Sequence, residues 1–163
     1  MSVEAPYGLI MALSENNFDF LVGTWDVANR KLRERGVGCE DWDDIPATTE
    51  VRSFFDGGGN FDEIVFPGSR GATVRLYDAK TDLWSLHWMV NEGGMDPVPC
   101  VGRFEDDGVG RFYADEILEG RPTRVRFIWS AITLVSCRWE QAFSYDAGET
   151  WETNWFMDFT RTS

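Results

Sequence analysis

Few side chains in this sequence are suited to acid–base chemistry. The chain has a single histidine, His87, so a zinc site with two or three histidines is excluded, and no Gly-x-Ser-x-Gly segment supplies a serine nucleophile. Glu63 stands among apolar residues, where burial raises a carboxyl pKa and makes a general acid or base near neutral pH. Glu140 and His87 are the other candidate catalytic residues, provided that their strand faces point inwards. For Glu63 an ion pair with Lys31 or an arginine is the alternative, and we favour that pair over catalysis.

Tryptophan recurs at a spacing suited to binding. The chain has eight tryptophans and an aromatic fraction of 15%, and several of the rings alternate with polar residues. Rings with a few polar groups among them are typical of a small-molecule pocket. The alternative is that the same rings fill a solid core, which leaves an oligomerisation module without a cavity. The predicted ligand-binding residues are Asn29, Glu63, Trp84, Trp88, Phe127, Trp129, Trp139, Gln141, Trp155 and Met157. No metal site and no cofactor are predicted.

Alternating apolar and polar residues, separated by Gly, Asp and Asn turns, predict antiparallel strands that would position these side chains. About ten short strands favour a closed up-and-down barrel, because closure leaves no exposed sheet edge. We expect an N-terminal arm over residues 1–13 and one barrel domain over 14–163, closed at one end by a short helix within 14–22. The predicted strands are Gly23–Glu34, Ala47–Phe55, Phe61–Phe66, Thr73–Tyr77, Leu83–Val90, Val98–Glu105, Gly110–Leu118, Arg124–Ile132, Ser136–Tyr145 and Thr153–Arg161.

The energetics of burial decide which strand face points inwards. Burying a large ring is worth roughly 2–3 kcal/mol, whereas burying an unpaired charge costs several. The tryptophan face is therefore expected inside, with Asn29, Glu63 and Gln141 as its polar members and His87 outside. A solvated ladder of charges is expected on the outer face: Arg75, Arg124, Arg126, Arg138, Glu140 and Asp158. If the faces are reversed, Arg126 and Arg138 instead form an anion-binding interior, as in fatty-acid-binding barrels.

Gly23-Thr24-Trp25 and Arg161 carry a resemblance to a known superfamily. The sequence resembles the lipocalin-like (calycin) barrels, whose first strand opens with Gly-x-Trp and whose last strand supplies an arginine that packs across that tryptophan. The phrases FDFLVGTWDV, GGGNFDE and WEQAFSYDAGETWETNW are similar to small bacterial calycin-like domains of unknown function. The resemblance implies structural roles for Gly23, Trp25 and Arg161. Some calycin-like proteins bind haem through one histidine, so haem ligation by His87 is a further alternative.

Charge restricts the partners. Fifteen basic residues against twenty-eight acidic ones give a net charge of −13, which argues against binding to nucleic acid or to an anionic membrane. The N-terminus lacks the basic start of a signal peptide, so we expect a cytoplasmic protein. The predicted function is binding of a small hydrophobic or aromatic molecule in the barrel, with homodimerisation left open. The alternative is a small barrel isomerase, cyclase or lyase that uses an acid–base carboxylate.

Overall fold

The computed structural model describes residues 16–163 of the chain, so the arm predicted over residues 1–13 lies outside the described residues, as do Ser14 and Glu15. Eleven strands account for most of this range, and the only helical pieces within it are two 3-10 turns, Asp19–Leu21 and Phe55–Gly57. The strands are β1 Gly23–Leu32, β2 Trp42–Phe54, β3 Gly59–Phe66, β4 Ser69–Asp78, β5 Leu83–Val90, β6 Gly94–Met95, β7 Cys100–Phe104, β8 Gly110–Leu118, β9 Arg121–Ser130, β10 Ser136–Ser144 and β11 Glu152–Arg161.

The strands form one closed antiparallel barrel. Neighbouring strands follow the order β4-β3-β2-β1-β11-β10-β9-β8-β7-β5, and pairing of β4 with β5 closes the ring at ten strands. The two-residue strand β6 pairs only with the end of β5, on the edge where β7 also pairs. The predicted all-β, up-and-down lipocalin-like barrel of about ten strands is therefore confirmed. Within residues 16–163, no helix has both the length and the apolar character needed to cross a membrane.

The short closing helix is only a 3-10 turn, Asp19–Leu21, which corrects the prediction in one detail. Asn17 Oδ1 accepts a hydrogen bond from the Asp19 amide at 3.1 Å, which starts the turn. The turn cannot continue because Val22 is already extended. The Leu21 carbonyl is instead used by the indole Nε1 of Trp25 at 2.8 Å. The chain thus passes directly from the turn into β1.

Aromatic rings fill the end of the barrel beneath this turn. Phe18 is 1% exposed and packs against five rings, edge-on or stacked, with centroid distances of 4.8–6.0 Å. These geometries suit the ring quadrupole and are worth roughly 0.5–1.5 kcal/mol each beyond the area buried. One end of the barrel is therefore packed solid, and we call it the closed end. The five rings are Phe20, Trp84, Phe104, Phe112 and Trp129.

Arg161 connects the elements of the closed end through its guanidinium group. Its guanidinium carbon lies 4.2 Å from the centre of the Trp25 ring, and Trp25 is fully buried. The same guanidinium donates to the carbonyls of Phe20 at 2.6 Å, Val22 at 2.7 Å and Leu134 at 2.9 Å. The contact between Trp25 and Arg161 that the resemblance implies is confirmed.

Gly23 leaves the space that Arg161 needs. Its φ is +135°, a conformation that side-chain-bearing residues rarely adopt. A Cβ atom at this position would lie 2.2 Å from Arg161 Nη1. The glycine of the Gly-x-Trp motif is thus required both by its backbone angle and by the close approach of the arginine.

Candidate functional site

A cavity opens at the other end of the barrel, which we call the open end. Its volume is about 410 Å³, and all ten strands of the ring contribute to its walls, together with the turn between β3 and β4. A smaller chamber of about 50 Å³ lies deeper and is walled mainly by aromatic rings. Five residues line both spaces, so the two are adjacent parts of one interior site: Leu86, Trp88, Phe127, Gln141 and Trp155.

Eight of the ten predicted ligand-binding residues line this interior. Alternation sorted them correctly because β5 and β9 to β11 each expose one apolar face to the barrel axis. Trp84 points inwards as predicted but lies at the wrong depth, since it packs edge-on against Phe18 at the closed end and donates from Nε1 to the Asn16 carbonyl at 3.2 Å. The eight lining residues are Asn29, Trp88, Phe127, Trp129, Trp139, Gln141, Trp155 and Met157.

The prediction that Glu63 faces the interior is wrong. Thr49 of β2 points inwards and pairs in register with Ile64, so Ile64 also points inwards and Glu63 falls on the outer face, opposite Glu50. The Glu63 side chain is 57% exposed and forms an ion pair with Arg70 at 2.7 Å. The alternative role, pairing with an arginine, is thus the one the structure supports.

His87 and Glu140 also lie outside the barrel. His87 is in the outward set of β5, where its Nε2 lies 3.0 Å from Ser85 Oγ. Glu140 stands between the inward residues Trp139 and Gln141 on β10. Neither side chain lines the cavity, so neither can serve as an acid or base in it, and His87 is not positioned to ligate a haem there. Among residues 16–163, no group of three His, Cys, Asp or Glu side chains could hold a metal ion.

Asn29 and Gln141 place amide groups in the wall. Asn29 donates to the Ile45 carbonyl at 3.0 Å and accepts from the Trp155 indole Nε1 at 2.9 Å, which fixes the orientation of that ring. Gln141 donates from Nε2 to Asn154 Oδ1 at 2.8 Å. Its own carbonyl oxygen has no hydrogen-bond partner within residues 16–163. Gln141 therefore offers one acceptor to a molecule in the cavity.

A buried ion pair forms part of the chamber wall, and alternation missed it. Arg75 was expected on the outer face, yet it is 5% exposed and contacts Asp62 at 2.8 Å and Asn60 Oδ1 at 2.9 Å. Thr49 Oγ1 donates to the second Asp62 oxygen at 2.9 Å. Burying a charge is tolerated when a partner and hydrogen bonds compensate it. The polar residues of β3 and β4 complement each other, but this pattern can be recognised only when the two strands are compared as neighbours.

Two cations stand at the open end. Lys31 and Arg35 are both half-buried and line the cavity. Burial lowers the pKa of Lys31, and the neighbouring charge of Arg35 lowers it further. Burial also lowers the pKa of Arg35. Lys31 lies two residues after Asn29 on β1 and shares its inward face, so alternation could have predicted its position. Arg35 follows the strand, where alternation gives no prediction.

Two carboxyl groups line another part of the same mouth. Asp96 follows β6 and Glu116 lies on β8. Burial raises the pKa of Asp96, and burial followed by the charge of Asp96 raises the pKa of Glu116. In the ring of ten strands, β11, β10 and β9 separate β1 from β8. Three strands therefore separate Lys31 from Glu116 along the ring, whereas Arg35 is close enough to Glu152 and Glu119 to feel their charges.

No protein-family model matches this chain, and no curated protein matches its sequence significantly. A solved structure does match it: the S-type phycobiliprotein lyase CPES from Guillardia theta, at a TM-score of 0.56 and 9% sequence identity, over 88% of this chain and 89% of that one. At this identity the likeness concerns the fold alone. Together with the closed ring of ten strands, it shows that the chain has a lipocalin-like, calycin-type barrel fold.

Proposed function

We propose that this protein binds a small hydrophobic or aromatic molecule inside its barrel. The observation that carries the proposal is that the open-end cavity and the ring-walled chamber below it are adjacent, with five lining residues in common. The outer volume of about 410 Å³ falls within the usual range for small-molecule sites. The molecule enters at the open end, since the closed end is packed with rings.

The ring geometry supports an aromatic or apolar ligand. Trp139 and Trp155 pack edge to face at a centroid distance of 5.4 Å, and Phe127 lies 5.0 Å from Trp139. These contacts hold the indoles in fixed orientations before any ligand arrives, which lowers the entropic cost of binding. The fold neighbour is named a lyase, which adds support for a small-molecule ligand. The enzyme alternative lacks its candidate catalytic residues, because Glu63, His87 and Glu140 all lie outside the cavity.

The experiment is a titration with N-phenyl-1-naphthylamine, a neutral probe with a naphthyl group and a phenyl ring, which fluoresces in apolar surroundings. We expect saturable binding, with energy transfer from the indoles that line the interior. Trp139→Ala should weaken binding about three- to tenfold, the loss expected for one or two ring contacts.

Trp151→Ala is the matched control. Trp151 lies on the outside of the barrel, where Arg126 stands over its ring at 4.2 Å and its Nε1 donates to the Gly148 carbonyl at 3.1 Å. The probe should bind this variant as tightly as it binds the parent. Failure of the probe to saturate, or equal losses in the two variants, would contradict an interior site. Native mass spectrometry of protein purified from its own host then tests for a co-purifying ligand.

A further inference from the structure

Lys31 is an inward-facing cation without a counter-ion. It shares the inward face of β1 with Asn29, and its Nζ lies 4.2 Å from the centre of the Trp155 ring. No carboxylate of residues 16–163 lies within ion-pair distance of this nitrogen, and it makes no hydrogen bond within that range. A half-buried ammonium held only by a ring face retains unused donors.

Arg35 supplies a second cation of the same kind. Its guanidinium carbon lies 5.2 Å from the centre of the Phe143 ring, and it too lacks an ion pair within the described chain. The loop that carries it is anchored, because the Gly36 amide donates to Glu152 at 2.8 Å and the Gly36 carbonyl accepts from Arg121 at 3.3 Å. Arg35 is thus held at the cavity wall.

The lack of an ion pair at Lys31 and at Arg35 is notable in so acidic a chain. The chain has 28 acidic residues, and within residues 16–163 eight arginines form ion pairs, among them Arg70, which also lines the cavity and pairs with Glu63. Asp96 and Glu116, which line the cavity, form no ion pair with residues 16–163. The charges of Glu152 and Glu119 act on Arg35, but neither carboxylate forms an ion pair with it. Two adjacent cations that repel each other and face a cavity have the chemistry of an anion site.

We propose that the ligand is an amphipathic anion, which binds with its apolar or aromatic body in the open-end cavity, against the rings shared with the deeper chamber, and its carboxylate-like head at Lys31 and Arg35. This proposal rests on the proposed function and adds both the ligand's charge and its orientation. The buried Arg75 is already paired with Asp62 at 2.8 Å, so its charge is compensated, although its Nε has no hydrogen-bond partner within residues 16–163. Asp96 and Glu116, which also line the cavity, repel the head and favour its position at Lys31 and Arg35.

Two probes with the same skeleton test the proposal. N-phenyl-1-naphthylamine is neutral, and 8-anilino-1-naphthalenesulfonate adds one sulfonate to it. Lys31→Gln and Arg35→Gln should each weaken the sulfonate probe about tenfold, the effect of losing one charge-assisted hydrogen bond, and leave the neutral probe unchanged. Lys80→Gln is the matched control, because it removes the same charge from an exposed turn.

The outcomes separate the two proposals. If neither probe binds the parent protein, the proposed function itself fails. If the neutral probe binds and the sulfonate probe is insensitive to both substitutions, or is weakened equally by Lys80→Gln, the anion site is wrong while the apolar site stands. Equal losses of both probes in Lys31→Gln, with an unchanged thermal midpoint, would mean that Lys31 shapes the pocket and does not bind the head. Lys31→Glu should abolish selective binding of the sulfonate probe, and retention of that selectivity would also overturn the proposal.

Discussion

The two ends of the barrel contain the same contact with different surroundings. At the closed end the Arg161 guanidinium stands 4.2 Å from the centre of the Trp25 ring, and at the open end the Lys31 ammonium stands 4.2 Å from the centre of the Trp155 ring. Arg161 also donates to three backbone carbonyls. Lys31 makes no hydrogen bond within residues 16–163.

This difference implies that the cation at the closed end contributes to stability, whereas the cation at the open end can bind a ligand. Where the chain itself supplies every acceptor, a cation on a ring becomes part of the closure and has nothing left for a ligand. Where the chain supplies only the ring, the remaining donors face a cavity of about 410 Å³. Substitutions at the closed end should therefore affect folding, and those at the open end should affect binding.

The largest effect is expected from truncating closed-end rings. Phe18→Ala removes a ring that is 1% exposed and touches five others, and large-to-small changes at such sites cost about 3–5 kcal/mol. Phe127→Ala should cost no more than about 2 kcal/mol, because Phe127 is only partly buried and already borders open space. Urea unfolding midpoints of the two variants measure the difference. Equal losses would show that the interior is not divided into a packed end and an open end.

The two cations provide the next comparison. Arg161→Met leaves three carbonyls without their donor and should cost about 2–4 kcal/mol. Lys31→Met removes a half-buried ammonium with no acceptor and should change stability by less than about 0.5 kcal/mol. The same unfolding experiment measures both variants. A large loss in Lys31→Met would mean that the ammonium has a structural role.

Alanine substitutions at two glycines distinguish the cost of steric crowding from the cost of backbone strain. Gly23→Ala combines a φ of +135° with a Cβ 2.2 Å from Arg161 Nη1 and should cost about 2–3 kcal/mol. Gly68→Ala, in the turn between β3 and β4, has a φ of +82° with nothing within 4 Å, so only backbone strain of about 1 kcal/mol is expected. Thermal midpoints compare them. If both variants lose the same stability, the close approach of Arg161 contributes nothing.

Strand positions were highly predictable from alternation and turn chemistry. The predicted Leu83–Val90 and Gly110–Leu118 have the same bounds as β5 and β8, because clear turns flank both. The inward faces of β5 and of β9 to β11 were also correct, since a row of large rings leaves no doubt about which face is buried. The strand order then brought eight predicted residues into one interior.

The wrong and missing predictions concern residues whose environment depends on neighbouring strands or on loop contacts, which the pattern of a single strand does not contain. The inward face of β3 carries Asn60 and Asp62, which looks like an outer face until Arg75 of β4 is paired with it. The β2–β3 connection also includes three residues with positive φ, Phe55, Asp56 and Gly57, so the alternation of β2 could not be extended across it to β3. Arg35 and Asp96 lie outside the alternating segments. Their positions at the mouth depend on loop contacts that the sequence pattern does not reveal.

The smallest effect is expected from a carboxyl at the open end and depends on pH. Burial and the charge of Asp96 raise the pKa of Glu116 above its usual 4.5, so the folded state holds this proton more tightly than the unfolded state. Well below pH 4.5 the carboxyl is protonated in both the folded and the unfolded state, so it does not affect stability. As the pH rises from 4.5 through the raised pKa, ionisation of Glu116 destabilises the folded state, and above the raised pKa this loss of stability is complete.

Glu116→Gln should therefore raise the thermal midpoint at pH 7 and leave it unchanged at pH 3.5. Glu92→Gln, at an exposed turn, should leave the midpoint unchanged at both pH values. A gain at pH 3.5 as large as that at pH 7 would mean that packing, and not ionisation, sets the effect.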